Sequence, residues 1–253
     1  MKKLLFLSIT FALLIAGSAF QSNFQKKVSF QPVAVIELFT SQGCSSCPSA
    51  DQLLSQTIGD AKSDGRKIFA LSFHVDYWNR LGWADPFSAR EFSQRQSAYA
   101  SQMNLNSVYT PQMIVNGTSQ FVGSDVHDLK NALDKSLSIK PLVSFKTLSV
   151  NLQNNAPPQV KFSLDGIYAD CNINFALVSL SETTSIKRGE NGGLTLTNEN
   201  VVRQFISIPA VAEGEINFKS SPVPAGNNMA MVAYLQQNNN LKIIGAAMAE
   251  IKR

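Results

Sequence analysis

Two cysteines three residues apart, Cys44 and Cys47, are the residues whose spacing most directly implies chemistry. They occur in the segment ELFTSQGCSSCPSAD, which follows the apolar run VAVI. At the start of a helix, free backbone N–H groups and the helix dipole stabilise a thiolate, and a second cysteine one turn on lies within bonding distance. The first cysteine then attacks a disulfide and the second resolves the mixed disulfide. The spacing predicts Cys44 as nucleophile and Cys47 as resolving thiol.

Two other interpretations of the cysteine pair stay open. A structural zinc site needs four ligands, and His74, His127 and Cys171 are scattered along the sequence, so no metal site is predicted from them. A Cu(I) site made by the two thiolates alone is chemically allowed. The pair could also form a permanent structural disulfide in a non-catalytic secreted binding module. Reducibility separates these cases, because an exchange catalyst needs a labile disulfide and a structural one resists reduction.

Strands and helices alternate in the N-terminal half and are expected to position the pair. Residues 33–40 and 68–78 are apolar runs typical of buried strands. Between them, apolar residues recur at helical spacing up to Gly65, which can end the helix. Asn116-Gly117 is a strong hairpin signal between two short strands. The predicted order is β-α-β-α-β-β-α, with the first two strands parallel and helices on both faces of a mixed sheet.

The rhythm of the sequence changes after Pro141. Short apolar and alternating segments follow one another, separated by clusters of Asn, Gly and Pro and without intervening helical patterns. This series is typical of antiparallel strands. We therefore predict a mostly antiparallel β-sandwich-like domain over 141–253.

The element order, the cysteine pair opening the first helix, and Thr110-Pro111 before a later strand resemble the thioredoxin superfamily. The resemblance implies an α/β thioredoxin-like domain over 30–140. It implies a cis bond at Pro111, with Thr110 beside it as part of the platform that faces the cysteines. It also offers Glu37 as the buried proton acceptor, although the spacing differs by one residue. Two serines separate the cysteines where the superfamily usually has Gly-Pro, so the redox direction is not assigned.

Longer strings are similar to a bacterial secreted family of unknown function, DUF1223. They are ELFTSQGCSSCPSAD, HVDYWNRLGWADPFS, YTPQMIVNG, RGENGG and NVVRQF. The resemblance implies a thioredoxin-like fold and export, but no substrate.

The segment HVDYWNRLGWADPF leaves the second predicted strand on the same side as Cys44, because both follow parallel strands. Tyr77, Trp78 and Trp83 are predicted to form an aromatic lip that contacts a substrate, and His74 or Asp76 to transfer protons there. The alternative is that the aromatic rings cover the sheet and that His74 is a packed, hydrogen-bonded residue. The later loop containing RGENGG either reaches the cysteine site or forms an exposed hairpin loop.

The first twenty residues have the layout of a secretory signal peptide, with two lysines, an apolar run and small residues near its end. These lysines account for two of the net +4 charges, so the mature chain has little excess charge. We expect no nucleic-acid partner, and no membrane partner after signal cleavage. The predicted location is secreted or periplasmic. The predicted partners are a protein or small thiol or disulfide substrate and an unidentified redox partner, with no cofactor.

Overall fold

The computed structural model describes residues 30–151, 157–219 and 229–251. The predicted signal peptide, residues 1–20, lies outside the described residues. The α-helices of the described part are α1 (Cys47–Asp64), α2 (Arg90–Gln102) and α3 (Val126–Leu137), with a short 3-10 turn at Asn79–Leu81. The strands are β1 (Ala34–Thr40), β2 (Ile68–His74), β3 (Gln112–Val115), β4 (Ser119–Val122), β5 (Val143–Asn151), β6 (Gln159–Gly166), β7 (Cys171–Ser185), β8 (Thr195–Pro209), β9 (Glu213–Asn217), β10 (Met229–Gln237) and β11 (Ile243–Ile251). In this described part, each helix is too short or too polar to cross a membrane.

Strands from both halves of the chain form one eight-stranded mixed sheet, in the order β11-β10-β7-β8-β2-β1-β3-β4. In it, β1 runs parallel to β2 and antiparallel to β3. The two halves join where β8 runs parallel to β2, with Ser72 opposite Val201. A separate three-stranded sheet has the order β5-β6-β9.

The predicted fold class, a thioredoxin-like α/β domain followed by a mostly antiparallel β-sandwich-like domain, is wrong. Of the described residues, 45% lie in strands and 22% in helices, and the main sheet is shared by strands from before and after residue 140. The order of elements as far as Leu137 is as predicted. Apolar patterns identify extended segments, but they do not identify the neighbour of each strand. Here β8 covers the edge that β2 would otherwise leave open.

Local sequence explains why α1 lies where it does. Pro48 is tolerated in the first helical turn, where backbone N–H groups have no partner inside the helix. Gly65 ends the helix in the left-handed conformation, with φ of +67°. Between them, Ala50 and Leu54 are buried against the central strands. The beginning of α1, and with it the cysteine pair, is thereby held at the carboxyl end of β1.

The two faces of β1 belong to different cores. Ile36 and Leu38 pack with α1 and α3 on one face. Val35 and Phe39 pack on the other face, in a core that also contains residues of α2, β7, β8 and β10. Because side chains alternate along a strand, the position of a polar residue in β1 decides whether it faces α1 or α2.

Candidate functional site

Cys44 lies in the connection between β1 and α1, and Cys47 is the first residue of α1. The helix begins at Cys47, so Cys44 precedes it by three residues instead of occupying its first turn. Both thiols are free and both residues are fully buried. The Cys44 Sγ lies 3.2 Å from the Ser46 Oγ and 3.9 Å from the Thr110 carbonyl oxygen. The turn therefore surrounds the first cysteine with polar groups.

The two thiols differ in acidity. A hydrogen bond from the Cys47 thiol lowers the pKa of Cys44 to about 6; burial opposes this shift, and bonds from Ser46 and Thr110 add to it. Burial raises the pKa of Cys47 well above its ordinary value, and the neighbouring Cys44 and Asp51 raise it further. At neutral pH this arrangement favours a thiolate at Cys44 and a protonated thiol at Cys47.

Thr110 and Pro111 lie beside the pair. The peptide bond between them is cis. The Thr110 carbonyl oxygen faces the Cys44 sulfur. The Thr110 hydroxyl accepts a hydrogen bond from the Trp78 Nε1 at 2.7 Å. A Cβ added at Gly123 would lie 3.1 Å from the Pro111 Cβ and 3.0 Å from the Ala50 Cβ, so this glycine lets Pro111 pack close to α1.

The aromatic residues that follow β2 bond both the cysteine turn and α2. Besides Trp78, Trp83 also adjoins the cysteine turn, because its Nε1 donates to the Gln42 Oε1 at 3.2 Å. The Tyr77 hydroxyl lies 3.2 Å from the Gln96 Oε1 of α2, and burial raises the pKa of Tyr77 to about 12. Thr110 and both cysteines also act on the Tyr77 hydroxyl, so all three predicted aromatic residues lie near the cysteine site.

His74 lies in the interior beneath the turn. It is fully buried, with its Nδ1 2.7 Å from the Asp85 Oδ2 and its Nε2 3.3 Å from the Ser72 Oγ. The same Asp85 oxygen accepts the Gln42 backbone N–H at 2.8 Å. Burial raises the pKa of Asp85, but His74 and these hydrogen bonds outweigh it and the pKa is lowered. The His74–Asp85 pair supports the cysteine turn from within, because Asp85 bonds both the His74 ring and the Gln42 backbone N–H.

Glu37 lies on the face of β1 opposite α1. Its carboxylate accepts hydrogen bonds from the Arg95 Nε at 2.9 Å and Nη2 at 3.1 Å, from the Tyr234 hydroxyl at 2.6 Å and from the Tyr99 hydroxyl. Arg95 and Tyr99 belong to α2, whereas Cys47 begins α1. The one-residue difference in spacing noted in the sequence places this carboxylate away from the cysteines, because successive strand residues face opposite sides.

Asp51 is a buried carboxyl beside Cys47 that the sequence analysis missed. Thr40, at the end of β1, faces α1, and its hydroxyl donates to the Asp51 Oδ2 at 3.2 Å. The Asp51 Oδ1 is buried and has no hydrogen-bond partner within the described residues. Burial raises the pKa of Asp51 to about 7, against the lowering effects of His74 and of Thr40 and Asn198. The available signal was its position four residues after Cys47, one helical turn away.

Asp51 also lines a cavity of about 270 Å³ between α1 and β8. The residues that line it are Pro48, Asp51, Gln52 and Ser55 from α1, and Thr195, Leu196 and Thr197 from β8. In the part of the chain that the structure describes, no group of three or more His, Cys, Asp or Glu residues is arranged to hold a metal ion.

The loop between β7 and β8, residues 186–194, reaches the cysteine turn from the C-terminal half. The Asn191 Nδ2 donates to the carbonyl oxygens of Gln42 and Cys44, each at 2.9 Å. The Ser45 backbone N–H donates to the Glu190 Oε2 at 3.0 Å. The sequence indicated that this loop could reach the site, but it did not identify Asn191, because no local pattern marks a contact made across 147 residues.

The family model described as "Protein of unknown function (DUF1223)" matches residues 35–236. The chain belongs to this family. The matched region includes both cysteines, the aromatic segment and the β7–β8 loop, so every group that forms the candidate site lies within it.

The X-ray crystal structure of protein AGR_C_4864 from Agrobacterium tumefaciens is similar to this chain, with 25% sequence identity and a TM-score of 0.64. The match covers 89% of this chain and 100% of that one. A putative beta-galactosidase from Bacteroides fragilis has 9% identity over 44% of this chain and 18% of its own, and its TM-score of 0.22 is too low to inform the fold. No curated protein sequence matches the chain.

Proposed function

We propose that this DUF1223 protein exchanges thiols and disulfides through Cys44 and Cys47. The observation that carries the proposal is the pairing of two free, buried thiols of opposite acidity in one turn. A thiolate is the attacking species in disulfide exchange, and a neighbouring protonated thiol can then resolve the mixed disulfide. A cysteine pair that only staples a turn has no need of this asymmetry.

In the first step the Cys44 thiolate attacks one sulfur of a substrate disulfide. A bond forms between Cys44 and that sulfur, the substrate S–S bond breaks, and the other sulfur leaves as a thiolate. The Thr110 carbonyl lies beside the Cys44 sulfur, and Trp78 and Trp83 bond Thr110 and Gln42 next to it. We assign the contact with the substrate to these groups.

In the second step Cys47 loses its proton and attacks the Cys44 sulfur. The Cys44–Cys47 disulfide forms, the mixed disulfide breaks, and the substrate leaves as a second thiolate. The substrate disulfide is reduced to two thiols while the pair is oxidised; the reverse sequence oxidises a dithiol substrate. We assign the Cys47 proton to Asp51, because this carboxyl is buried one turn away, has a free oxygen and has a pKa near 7.

The proton then needs a route from Asp51 to solvent. We assign this route to the cavity between α1 and β8, which Asp51 lines together with Ser55, Thr195 and Thr197.

The reduction potential of the Cys44–Cys47 pair tests the proposal. The chain without its predicted signal peptide, carrying Cys171→Ala, is equilibrated in glutathione buffers and its alkylated cysteines are counted by mass. A potential between about −120 and −270 mV supports an exchange catalyst and gives its direction. A pair still oxidised well below about −300 mV would overturn the proposal in favour of a structural disulfide. Cys44→Ser is the control that must abolish exchange.

A further inference from the structure

The β7–β8 loop has one buried polar side chain, Asn191, among mostly exposed residues. Asn191 is only 3% exposed, whereas its neighbour Glu190 is exposed. Both hydrogen bonds of the Asn191 amide nitrogen go to the cysteine turn, at the carbonyls of Gln42 and Cys44. Loss of these bonds should lower the stability of the fold, because it would leave buried carbonyl groups without a hydrogen-bond donor.

Asn191 restrains the turn that shapes the environment of Cys44. The Cys44 carbonyl also accepts the Cys47 backbone N–H at 3.2 Å, and the Cys44 N–H donates to the Ser41 carbonyl at 3.2 Å. With these bonds in place, the hydroxyl of Ser46 and the thiol of Cys47 are both directed at the Cys44 sulfur. Loss of the Asn191 amide would free the turn and misalign these donors.

Glu190 bonds the same turn. Its carboxylate accepts the Ser45 N–H, immediately after Cys44, and this bond lowers the pKa of Glu190, so the group is ionised at neutral pH. A negative charge beside a thiolate disfavours it.

We propose that Asn191 and Glu190 are positioning residues that set, in opposite directions, how readily Cys44 becomes a thiolate. Asn191 promotes the thiolate by holding the donors in place, and Glu190 restrains it by its charge. The C-terminal half of the chain, which supplies the β7–β8 loop, then contributes directly to the cysteine site. The consequence for exchange rests on the proposed function; the effect on thiol acidity does not.

The test is a pH titration of the Cys44 thiolate by ultraviolet absorbance in the Cys171→Ala background. Asn191→Ala should raise the titration midpoint by about one pH unit, which reduces the thiolate at pH 6 roughly five-fold. Glu190→Gln should lower the midpoint by a few tenths of a pH unit. Both substitutions leave the two cysteines unchanged.

Asn200→Ala is the matched control. Asn200 is also a buried asparagine of the β7–β8 hairpin, and its Nδ2 donates to the Ala70 carbonyl at 3.0 Å, away from the cysteine turn. This variant should lose stability, as Asn191→Ala does, without moving the titration midpoint. Equal midpoints in the Asn191→Ala, Asn200→Ala and parent proteins would overturn the role of Asn191.

Glu190→Gln keeps the proposal testable if Asn191→Ala does not fold, because an exposed side chain tolerates substitution. An unchanged or raised midpoint in Glu190→Gln would refute the role of Glu190. The Cys44 titration and the reduction potential of the pair test different claims. A pair that resists reduction would remove thiol–disulfide exchange, while shifted midpoints would still establish that the loop controls Cys44.

Discussion

Two buried carboxyl groups lie on opposite faces of β1, and the protein holds them in different ways. Glu37 accepts two hydrogen bonds from the Arg95 guanidinium and one each from two tyrosine hydroxyls. Asp51 accepts a bond from Thr40 at one oxygen, while its other oxygen has no partner within the described residues. Both groups are out of solvent, yet only Glu37 faces a permanent cation.

This difference assigns a structural role to Glu37 and a chemical role to Asp51. The hydrogen bonds of the fully paired Glu37 carboxylate join β1, α2 and β10 in one core. A buried carboxyl without a cation holds its proton until near-neutral pH, where it can exchange it with a neighbouring thiol. Substitutions that disrupt one cluster at a time test this difference, and those at the Glu37 ion pair should have the largest effect.

Arg95→Ala should destabilise the protein by about 3–5 kcal/mol, because it leaves the Glu37 charge buried without its partner. Urea unfolding monitored by circular dichroism measures this change. Lys130→Ala is the control, since it removes a solvent-exposed ion pair to Asp134 and should cost less than about 1 kcal/mol. Equal losses in the two variants would contradict the structural role assigned to the Glu37 cluster. Exchange activity per folded molecule should be unaffected by either substitution.

Asp51 should make stability fall as the pH rises. Between about pH 4 and 7 the folded protein holds a proton on Asp51 that the unfolded chain has already released, so folding is increasingly disfavoured across this window. Relative to Asp51→Asn, the wild type should lose about 4 kcal/mol between pH 4 and 8. Urea unfolding at each pH gives the difference curve, in which the contribution of Cys44 largely cancels.

Asp60→Asn, an exposed carboxyl of the same helix, is the control for this curve. A difference curve for Asp51→Asn that resembles the Asp60→Asn curve would show that the Asp51 pKa is not raised by burial.

Asp51→Asn should slow the resolution of the mixed disulfide by about 100-fold, the usual contribution of a general base. The attack of Cys44 on the substrate should keep its rate, because Asp51 accepts the proton of Cys47 and not that of Cys44. Single-turnover measurements that follow the formation and decay of the mixed disulfide separate the two steps. Equal slowing of both steps would show a general distortion of the turn, and an unchanged decay would remove Asp51 from the mechanism.

Single hydroxyl donors to the two carboxyls provide the finest comparison. Tyr234→Phe should cost about 1–2 kcal/mol of stability and leave the pH dependence of exchange unchanged. Thr40→Val should raise the pKa of Asp51 further, since its carboxylate loses a donor, and move the pH midpoint of the resolution step upward. The midpoint from single-turnover rates checks both variants. A shift with Tyr234→Phe but not with Thr40→Val would reverse the assignment of the two clusters.

Much of the N-terminal half could be predicted because its signals are local. Gly65 ends α1, and Asn116 and Gly117 adopt the left-handed conformations that their tight turn needs. The second helix begins after Ala89 without a side-chain cap, so local sequence marks its boundary less clearly.

The sequence by itself determined the extended and helical segments and the cysteine pair in the turn before α1, because φ/ψ preferences and short spacings act within a few residues. Only the tertiary structure decided that β8 pairs with β2, and therefore that Asn191 reaches Cys44. It likewise decided that Glu37 faces α2 while Thr40 directs Asp51 towards Cys47. The partner of a strand, and the elements that cover each of its faces, depend on distant segments of the chain. The pairing that the chain adopts leaves few open sheet edges and few unpaired buried charges.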